Sequence, residues 1–231
     1  MTSISLVFPL FNEEHYALRA YAAAVDALST ITSDYEIILV NDASTDRTAE
    51  IIDGLCAKDS QVKAVHNQRN LKLGGTLRAG YAVATKDLIL YTDADLPFDL
   101  HELRRAVRLL EVQKADVVSA YRFDRTSEGL LRTVYSLFYN SLVRLMFGLA
   151  IKDVNFSFKL FRRALLEEFT LKSDGSFIDV EFLCRARKAG AHIIQIGVDY
   201  FPRSRGVSTL SSPSVIIKIL REMLELRRDV A

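Results

Sequence analysis

Five short apolar runs alternate with four segments of helical periodicity in the first half of this chain. The predicted strands are residues 3–8, 35–40, 61–67, 87–92 and 115–120, and the predicted helices are residues 13–29, 44–58, 74–84 and 99–112. Strands that are apolar along their whole length are typical of a parallel sheet with both faces covered, and the intervening helices supply that cover. The sequence therefore predicts the α/β class, with a mostly parallel central sheet and helices on both faces.

The second half has a different pattern, in which helices dominate. Helices are predicted at residues 127–149 and 177–189, an extended segment at 191–201, and an amphipathic helix at 214–228. The 231 residues contain no internal repeat and no linker-like tract, and this length suits one domain. We therefore predict a single domain over residues 1–231, in which residues 121–231 form a C-terminal helical elaboration.

Composition excludes several classes of function. The formal net charge is +1, so no overall positive field is available to attract nucleic acid. No apolar run approaches the roughly 20 residues that a membrane-spanning helix needs. The first residues lack the basic leader and cleavage site of a signal peptide. Cys56 and Cys184 are far apart and form no CxxC motif, so both are predicted to be reduced core thiols of a cytoplasmic protein.

Three polar clusters each follow a predicted strand. They are FPLFNEE (8–14), VNDASTDRT (40–48) and TDADLP (92–97). Ligands of open parallel sheets bind beyond the carboxyl ends of the strands. These three clusters should therefore converge at one edge of the sheet and form a binding site there.

Asp93 and Asp95 stand one residue apart at the end of the buried run LILYT. Paired carboxylates suit a hard divalent cation, Mg²⁺ or Mn²⁺, which commonly shares its ligands with substrate phosphates. The alternative is structural: Asp95 or Asp99 caps the following helix, and Asp93 is a solvated turn residue. The pattern alone leaves both interpretations open.

The other two clusters also have two interpretations. Helix capping explains Ser44 or Thr45, but it does not require Asn41 and Asp42 directly after a buried strand. A carboxylate in that place is able to accept hydrogen bonds from a base or a ribose. The Glu13–Glu14 pair lies where a helix is predicted to begin, and acidic residues there also complement the helix dipole.

The segments SLVFPLFNEE, YEIILVNDASTDRTAEI, NLKLGGTLRAGYAVAT and DLILYTDADL, in this order, resemble the motifs of the family 2 glycosyltransferases. The resemblance covers residues 3–120. It implies a nucleotide-binding fold of the GT-A type, with residues 1–120 as the nucleotide-sugar-binding half and residues 121–231 as the acceptor half.

Five segments of the second half resemble one branch of that family. They are YR (121–122), the helix with Arg132 and Ser136, DVNFSFKLFRR (153–163), FIDVEFLCRARKAG (177–190) and FPRSRGVSTL (201–210). The branch is that of the polyprenyl-phosphate sugar transferases, typified by dolichyl-phosphate mannose synthase. The resemblance therefore implies a lipid phosphate as the acceptor.

For the donor, the resemblance implies that Pro9, Glu13 and Asp42 hold the nucleoside and that Asp93 and Asp95 hold the donor and its metal ion. Two motifs depart from the family pattern. The DDGS motif of the family is NDAS here, with Asn41 at the first acidic place. Pro97 stands where the branch often has a metal-binding glutamine.

For the acceptor, Arg132 and Arg203 match arginines that face phosphates in the polyprenyl branch. Ser136, one turn after Arg132, and Arg122 of the YR pair join them as predicted acceptor-phosphate residues. The RxxGxSK motif of the branch ends here in Thr209, which removes one cation. Asp95, Arg132 and Arg203 are the predicted catalytic residues.

The helix that carries Arg132 has a pattern of its own. Arg132, Ser136, Asn140 and Arg144 recur every four residues among apolar side chains and form one polar stripe. Three interpretations remain open: a core helix with satisfied polar contacts, a helix whose stripe faces a phosphate-binding cleft, and a helix at a membrane surface with snorkelling arginines.

The main prediction is an inverting, metal-dependent transfer of a sugar from a UDP- or GDP-linked donor to a polyprenyl phosphate. Its expected location is the cytoplasm, including peripheral contact at the cytoplasmic face of the membrane. The first alternative keeps the donor half and uses a sugar or another hydroxyl as acceptor, with Asp153, Asp179 or Glu181 as general base. The second is a non-catalytic nucleotide-binding module.

Overall fold

The computed structural model describes residues 2–124, 130–201, 222–225 and 227, without the side chains of residues 130–133 and 135. The strands are β1 (Ile4–Leu10), β2 (Tyr35–Asn41), β3 (Val62–His66), β4 (Leu88–Tyr91), β5 (Val117–Arg122), β6 (Lys159–Arg162) and β7 (Ile193–Val198). The helices are α1 (Ala17–Ser29), α2 (Thr48–Cys56), α3 (Lys72–Val83), α4 (Glu102–Val112), α5 (Leu130–Phe147), α6 (Leu165–Glu168) and α7 (Ile178–Lys188).

The seven strands form one sheet in the order β3-β2-β1-β4-β6-β5-β7. All neighbouring pairs are parallel except β4–β6 and β5–β6, where β6 runs antiparallel to both neighbours. The predicted α/β class and mostly parallel sheet are therefore confirmed. Strand β6 and helix α6 were not predicted, because elements of four residues show too little periodicity to be recognised.

Helices cover both faces of the sheet, as predicted. Side chains alternate along each strand, so that Leu6 and Phe8 pack with α1, α2 and α4 on one face, and Val7 packs with α3, α5 and α7 on the other. The close fit of α3 depends on Gly80, where a Cβ atom would lie 2.6 Å from Val7 Cγ1. Both faces of the sheet are thus covered by apolar side chains, and the polar clusters that follow β1, β2 and β4 lie at the ends of these strands.

The two cysteines have different environments. Cys184 on α7 is fully buried, as predicted, but Cys56 at the end of α2 is exposed, so its assignment to the core is wrong. Its Sγ lies 3.3 Å from Val62 O. An amphipathic helix packs only one face against the core, and in α2 this face includes Ile52 and Leu55. Cys56 lies outside that face.

The predicted C-terminal helix is described only in part. Residues 222–225 and 227 are helical, whereas residues 214–221 lie outside the described residues. Met223 is fully buried among side chains of the α3–α5–α7 face, and Glu222 accepts a hydrogen bond from Ser173 Oγ at 2.9 Å. This part of the chain therefore packs on the rest of the fold. The single domain and its two halves stay predictions.

Within the described part of the chain, no helix combines the length and the apolar character that crossing a bilayer requires.

Candidate functional site

The turns after β1 and β2 are joined by hydrogen bonds. Backbone N–H groups of Asn12 and Glu13 donate to Ser44 Oγ (3.0 Å) and Thr48 Oγ1 (2.9 Å). Strand β4 lies on the other side of β1, where Thr92 N donates to Val7 O at 3.2 Å. All three polar clusters therefore follow the carboxyl ends of adjacent strands, at the edge where ligands of such sheets bind.

Glu13 and Glu14 lie in the turn before α1, because this helix begins at Ala17. The predicted helix start at residue 13 is therefore wrong. The backbone of this turn is instead held by α2 and the residues before it, since Glu14 N donates to Asp46 Oδ2 (3.1 Å) while Glu14 Oε2 accepts from Arg47 N (3.1 Å). Neither glutamate stands in the first turn of α1, so a role in the helix dipole does not explain them.

Pro9 lies near the end of β1, in a sheet interior where proline is normally excluded. The main-chain oxygen of Val7 accepts a hydrogen bond from Thr92 N, after β4. Backbone groups two residues apart in a strand point to the same side, so the backbone nitrogen of Pro9 also points toward β4. However, β4 ends at Tyr91, opposite Val7. The missing N–H of Pro9 therefore falls beyond the end of β4 and leaves no acceptor in that strand unpaired.

Asp42, directly after β2, is 3% exposed and is fixed by three groups of the β3–α3 connection. Its Oδ1 accepts from Leu71 N at 2.7 Å and from Asn67 Nδ2 at 2.9 Å, and its main-chain oxygen lies 3.5 Å from Asn70 Nδ2. Hydrogen bonds to one carboxylate oxygen orient the group as a whole. The predicted nucleoside-binding carboxylate is thus held rigidly at the site edge.

The turn after Asp42 contains a strained residue. Ala43 has φ = +56°, a left-handed conformation that costs a non-glycine residue about 1–2 kcal/mol. The DDGS motif of the family has glycine in this place. A hydrogen bond from Ser44 N to Asn41 Oδ1 (3.0 Å) closes the turn around Ala43 and offsets part of the strain.

We expect Ala43→Gly to stabilise the protein by about 0.5–1 kcal/mol, because the relief of strain exceeds the added entropy of glycine in the unfolded chain. Thermal unfolding followed by circular dichroism measures the change. The matched control is Ala57→Gly, at a residue with φ = −69°, which should lower the melting temperature instead. Equal changes at both positions would contradict the strain at Ala43.

Asp93 and Asp95 lie in the turn between β4 and α4, and both side chains are half-buried. Oδ1 of Asp95 is a buried atom, and Leu96 next to it adopts φ = +54°. The turn before α4 uses Asp99, whose Oδ1 accepts a hydrogen bond from His101 N at 2.9 Å. However, the N-cap of α4 is His101, without a side-chain cap hydrogen bond, so the alternative that Asp95 or Asp99 caps this helix is wrong.

The two aspartates offer ligands for a cation, but they do not form a complete cage. Across residues 2–124 and 130–201, and in the short described piece near the C-terminus, no three His, Cys, Asp or Glu side chains are grouped as a metal site. Carboxylate oxygens at a strand end, together with water and substrate phosphates, are a typical environment for Mg²⁺. The donor set therefore fits a hard cation that is held jointly with a phosphorylated ligand.

Arg122, the last residue of β5, forms a bidentate ion pair with Asp153. Its Nε and Nη2 donate to Oδ2 and Oδ1 at 2.7 and 3.0 Å, and the two side chains are 10% and 2% exposed. The guanidinium carbon also lies 5.7 Å from the ring centroid of Phe156 and 5.2 Å from that of Tyr200. Its role as an acceptor-phosphate residue stays a prediction. A phosphate would have to bind Arg122 while the guanidinium keeps its contact with Asp153, or replace that contact.

The polar stripe of α5 is described from Ser136 onward. Asn140 Nδ2 donates to the main-chain oxygen of Ser136 at 2.8 Å, while Asn140 Oδ1 accepts from Val154 N at 3.1 Å. Asn140 thus fixes the loop that carries Asp153. The side chain of Arg132 and the whole of Arg203 lie outside the described residues, so their predicted roles are not located here.

The segment that leads to Arg203 starts beside the aspartate turn. Phe201 N donates to Pro97 O at 2.8 Å, two residues after Asp95. The described chain therefore brings the beginning of the FPRSRGVSTL segment to the predicted metal ligands.

Asp179 and Glu181, two candidate bases, lie inside the protein. Asp179 is 4% exposed, and its pKa is raised to about 6, mainly by burial, although the nearby Lys159 ammonium (3.6 Å) lowers it. Glu181 is fully buried and accepts hydrogen bonds from Lys172 N, Ser173 N and Arg185 Nε at 2.7–3.0 Å. A general base must reach the proton that it removes, and these positions do not favour such a role.

Sequence reasoning missed several residues that shape the site. Lys159, a buried lysine on β6, was seen only as part of a motif, and no periodicity distinguishes it from a surface lysine. His66 and Asn67 are the last two residues of a predicted strand, which was the available signal, but they lack the carboxylates that drew attention to the other strand ends.

Comparisons with known proteins show the family and the fold. The sequence profile of the family described as Glycosyl transferase family 2 matches residues 5–170. Glycosyltransferase AglD of Haloferax volcanii is 31% identical over 207 residues, covering 87% of this chain and 33% of that protein. The undecaprenyl-phosphate 4-deoxy-4-formamido-L-arabinose transferase of Photorhabdus laumondii is 30% identical over 225 residues, covering 96% of this chain and 66% of that enzyme. The chain thus spans one third to just under two thirds of these relatives.

Solved structures show the same fold at low sequence identity. Glucosyl-3-phosphoglycerate synthase from Mycobacterium tuberculosis, in complex with Mn²⁺, UDP and glucosyl-3-phosphoglycerate, superimposes with a TM-score of 0.70 at 19% identity, covering 100% of this chain and 81% of that one. Residues 1–349 of TarS from S. aureus, in complex with UDP-GlcNAc, give a TM-score of 0.65 at 20% identity, with 96% and 67% covered.

Proposed function

Because this chain belongs to glycosyl transferase family 2, we propose that it transfers a sugar, with inversion, from a nucleotide-sugar donor to a polyprenyl phosphate. The observation that carries the proposal is the convergence of Asp42, Asp93 and Asp95 at the carboxyl ends of β2 and β4, beside the turn of Glu13. Carboxylate oxygens that can accept hydrogen bonds from a nucleoside, and others that can bind the cation of a diphosphate, thereby lie along one edge of the sheet. Pro9 and Glu13 would complete the nucleoside side of this edge.

A divalent cation, Mg²⁺ or Mn²⁺, fits the aspartate turn. Asp93 and Asp95 would hold it, and the donor diphosphate and water would supply the remaining ligands. When bound, the cation offsets charge that develops on the leaving diphosphate. The fold neighbours crystallised with Mn²⁺ or Mg²⁺ and UDP support this choice, and a UDP- or GDP-linked sugar is the proposed donor.

The acceptor is proposed from the second half of the chain. Relatives named as undecaprenyl-phosphate sugar transferases cover 96% of this chain, including the residues after 121. A phosphate is already ionised at neutral pH, so its attack needs no general base, and the burial of Asp179 and Glu181 is consistent with that. Arg122, Arg132, Ser136 and Arg203 are the proposed phosphate-orienting residues.

The proposal is tested by measuring nucleotide release and glycolipid formation. Each reaction contains one UDP-, GDP- or dTDP-sugar with Mg²⁺ or Mn²⁺, and is run with and without a short polyprenyl phosphate. Release of nucleotide that depends on the lipid phosphate, together with a labelled glycolipid, is the expected result. Release that is independent of the lipid would overturn the acceptor, and binding without turnover of any donor would favour the nucleotide-binding module.

A lipid acceptor requires contact with a membrane surface, and α5 offers an apolar face for it. Val134, Leu137, Phe138 and Leu145 are 56–84% exposed, and their spacing of three, four and seven residues puts them on one side of the helix. Arg144, also exposed, stands beside them as a cation for anionic head groups. We therefore propose peripheral contact through this face, on the cytoplasmic side of the membrane.

We expect Leu137→Ser/Phe138→Ser to lower the partition coefficient onto phosphatidylcholine–phosphatidylglycerol vesicles by about tenfold or more, since each apolar side chain contributes roughly 1.5–3 kcal/mol when fully buried. Co-sedimentation measures the effect. The matched control is Leu18→Ser/Val112→Ser, which removes two exposed apolar side chains from α1 and α4. If the partition coefficient decreased equally in both double variants, or decreased in neither, α5 would not be the membrane-contacting face.

A further inference from the structure

Asn41 stands in place of the first aspartate of the family motif DDGS. Its side chain has two fixed partners. One end faces Ser44 N at 3.0 Å, and the other faces His66 Nδ1 at 3.2 Å. Ser44 N is an amide donor, so the atom of Asn41 that faces it must be the oxygen. The amide nitrogen of Asn41 therefore faces His66 and donates a hydrogen bond to it.

This orientation determines the tautomer of His66. Because Nδ1 accepts a hydrogen bond from Asn41, it carries no proton in this arrangement. The ring proton of the neutral form is then on Nε2, which lies 3.0 Å from Asp53 Oδ1 and donates to it. Asp53 on α2 and Asn41 on β2 are thus the groups that the ring contacts, one on each nitrogen.

The network reaches the predicted nucleoside-binding carboxylate by two routes. Asn41 closes the turn in which Asp42 and the strained Ala43 lie. On the other side, Asn67, which follows His66, donates its N–H to Asn41 O at 2.9 Å and its Nδ2–H to Asp42 Oδ1 at 2.9 Å. His66 therefore acts on the site through Asn41 and Asn67, without being placed against the ligand.

We propose that His66 is a positioning residue of the donor site: its neutral, Nε2-protonated ring holds Asn41 and the turn of Asp42, and a second proton on the ring weakens donor binding. A doubly protonated ring has a donor at Nδ1, which faces the donor Nδ2 of Asn41. A rotation of the Asn41 amide would satisfy His66 but would leave Ser44 N facing a donor. Either way one hydrogen bond of the turn is lost, although the ion pair with Asp53 is strengthened.

The inference rests on the proposed function for its effect on the donor, but the hydrogen-bond network can be observed separately. NMR of the protein labelled with ¹⁵N in histidine reports which ring nitrogen carries the proton, and the His66→Gln variant assigns the signal. We expect neutral His66 as the Nε2-protonated form. A neutral ring protonated on Nδ1 overturns the inference, whatever the donor is.

The donor effect is tested by calorimetric titration with UDP-glucose and with GDP-mannose, in the presence of Mg²⁺, at pH 5.5 and pH 8.0. For the wild type, the dissociation constant of the donor that binds should rise about threefold to tenfold at the lower pH, the equivalent of one neutral hydrogen bond. In His66→Gln, whose side-chain oxygen accepts from Asn41 but does not titrate, this pH dependence should disappear.

Asn41→Asp is the sharpest variant, because it should reverse the effect. The carboxylate at position 41 accepts from both Ser44 N and a protonated Nδ1, so donor binding should be tighter at pH 5.5 than at pH 8.0. The wild-type pH dependence retained in Asn41→Asp or in His66→Gln overturns the inference. Failure of both sugars to bind at either pH contradicts the proposed function and the donor effect, and leaves the NMR result to decide the network alone.

Discussion

Replacing Asp95 with Asn should lower the turnover number of sugar transfer by roughly 10²–10³-fold, the loss typical when one electrostatic partner of a developing charge is removed. Asp95 lies after β4, with a buried Oδ1 atom, in the turn proposed to hold the cation. An amide in that place carries no negative charge and binds a hard cation weakly. The rate is measured with saturating donor over a range of Mg²⁺ or Mn²⁺ concentrations, and the variant should also need more metal for half-maximal activity.

The matched control is Asp99→Asn, in the same connection between β4 and α4. Asp99 is exposed, and its Oδ1 atom lies 2.9 Å from both His101 N and His101 Nδ1. It is not one of the two aspartates proposed to hold the metal ion. Turnover should therefore change little in this control. Full activity of Asp95→Asn with an unchanged metal requirement would contradict the proposed catalytic role of Asp95.

Replacing Glu181 with Gln should destabilise the fold by about 3–5 kcal/mol, because removal of one partner leaves buried donors and a cation unsatisfied. Glu181 is fully buried and accepts from two successive backbone N–H groups, of Lys172 and Ser173, as well as from Arg185. For a chain of this size, that change lowers the melting temperature on the order of 10 °C. Thermal unfolding followed by circular dichroism measures it.

Glu181 is also connected to the proposed nucleotide-binding residues, through the loop that it holds. The loop that it holds contacts α3, where Gly74 N donates to Asp174 O at 2.8 Å and Arg78 binds Ser173 O. Gly74 is required at this contact, because a Cβ atom would lie 2.2 Å from Ser173 O. Just before α3, Leu71 N binds the carboxylate of Asp42, so loosening of this loop should also weaken nucleotide binding.

Glu167→Gln is the control for Glu181. Glu167 is 68% exposed in its ion pair with Arg163, and such surface pairs contribute little, so its loss should change the stability by less than about 1 kcal/mol. If Glu181 were instead the general base for a hydroxyl acceptor, Glu181→Gln would abolish turnover while the melting temperature stayed near that of the wild type. That result would restore the hydroxyl-acceptor alternative.

Local pattern was enough to locate the main elements and the edge of the sheet where the polar clusters meet. Continuous apolar runs marked β1, β2 and β4, and the polar residues that follow them could be placed at one sheet edge, because all parallel strands end there. The positions of Asp42, Asp93 and Asp95 at that edge were therefore predictable from the sequence, whereas their roles stay predictions. The ends of helices were less accurate, since the turn of Glu13 and Glu14 depends on bonds to Asp46 and Thr48, which are remote in the sequence.

The tertiary structure decided which partners the polar residues have. Periodicity reports which face of an element is buried, but it does not report which distant side chain lies opposite. The pairing of Arg122 with Asp153 spans 31 residues, and the contact of Asn41 with His66 spans 25. The antiparallel insertion of β6 between β4 and β5 likewise depends on two strands that are far away in the chain. The apolar pattern of this sequence thus determined the layers and the edge of the sheet where the polar clusters lie. The partner of each buried charge was determined only by the folded chain, because ion pairs and hydrogen bonds depend on distance in space.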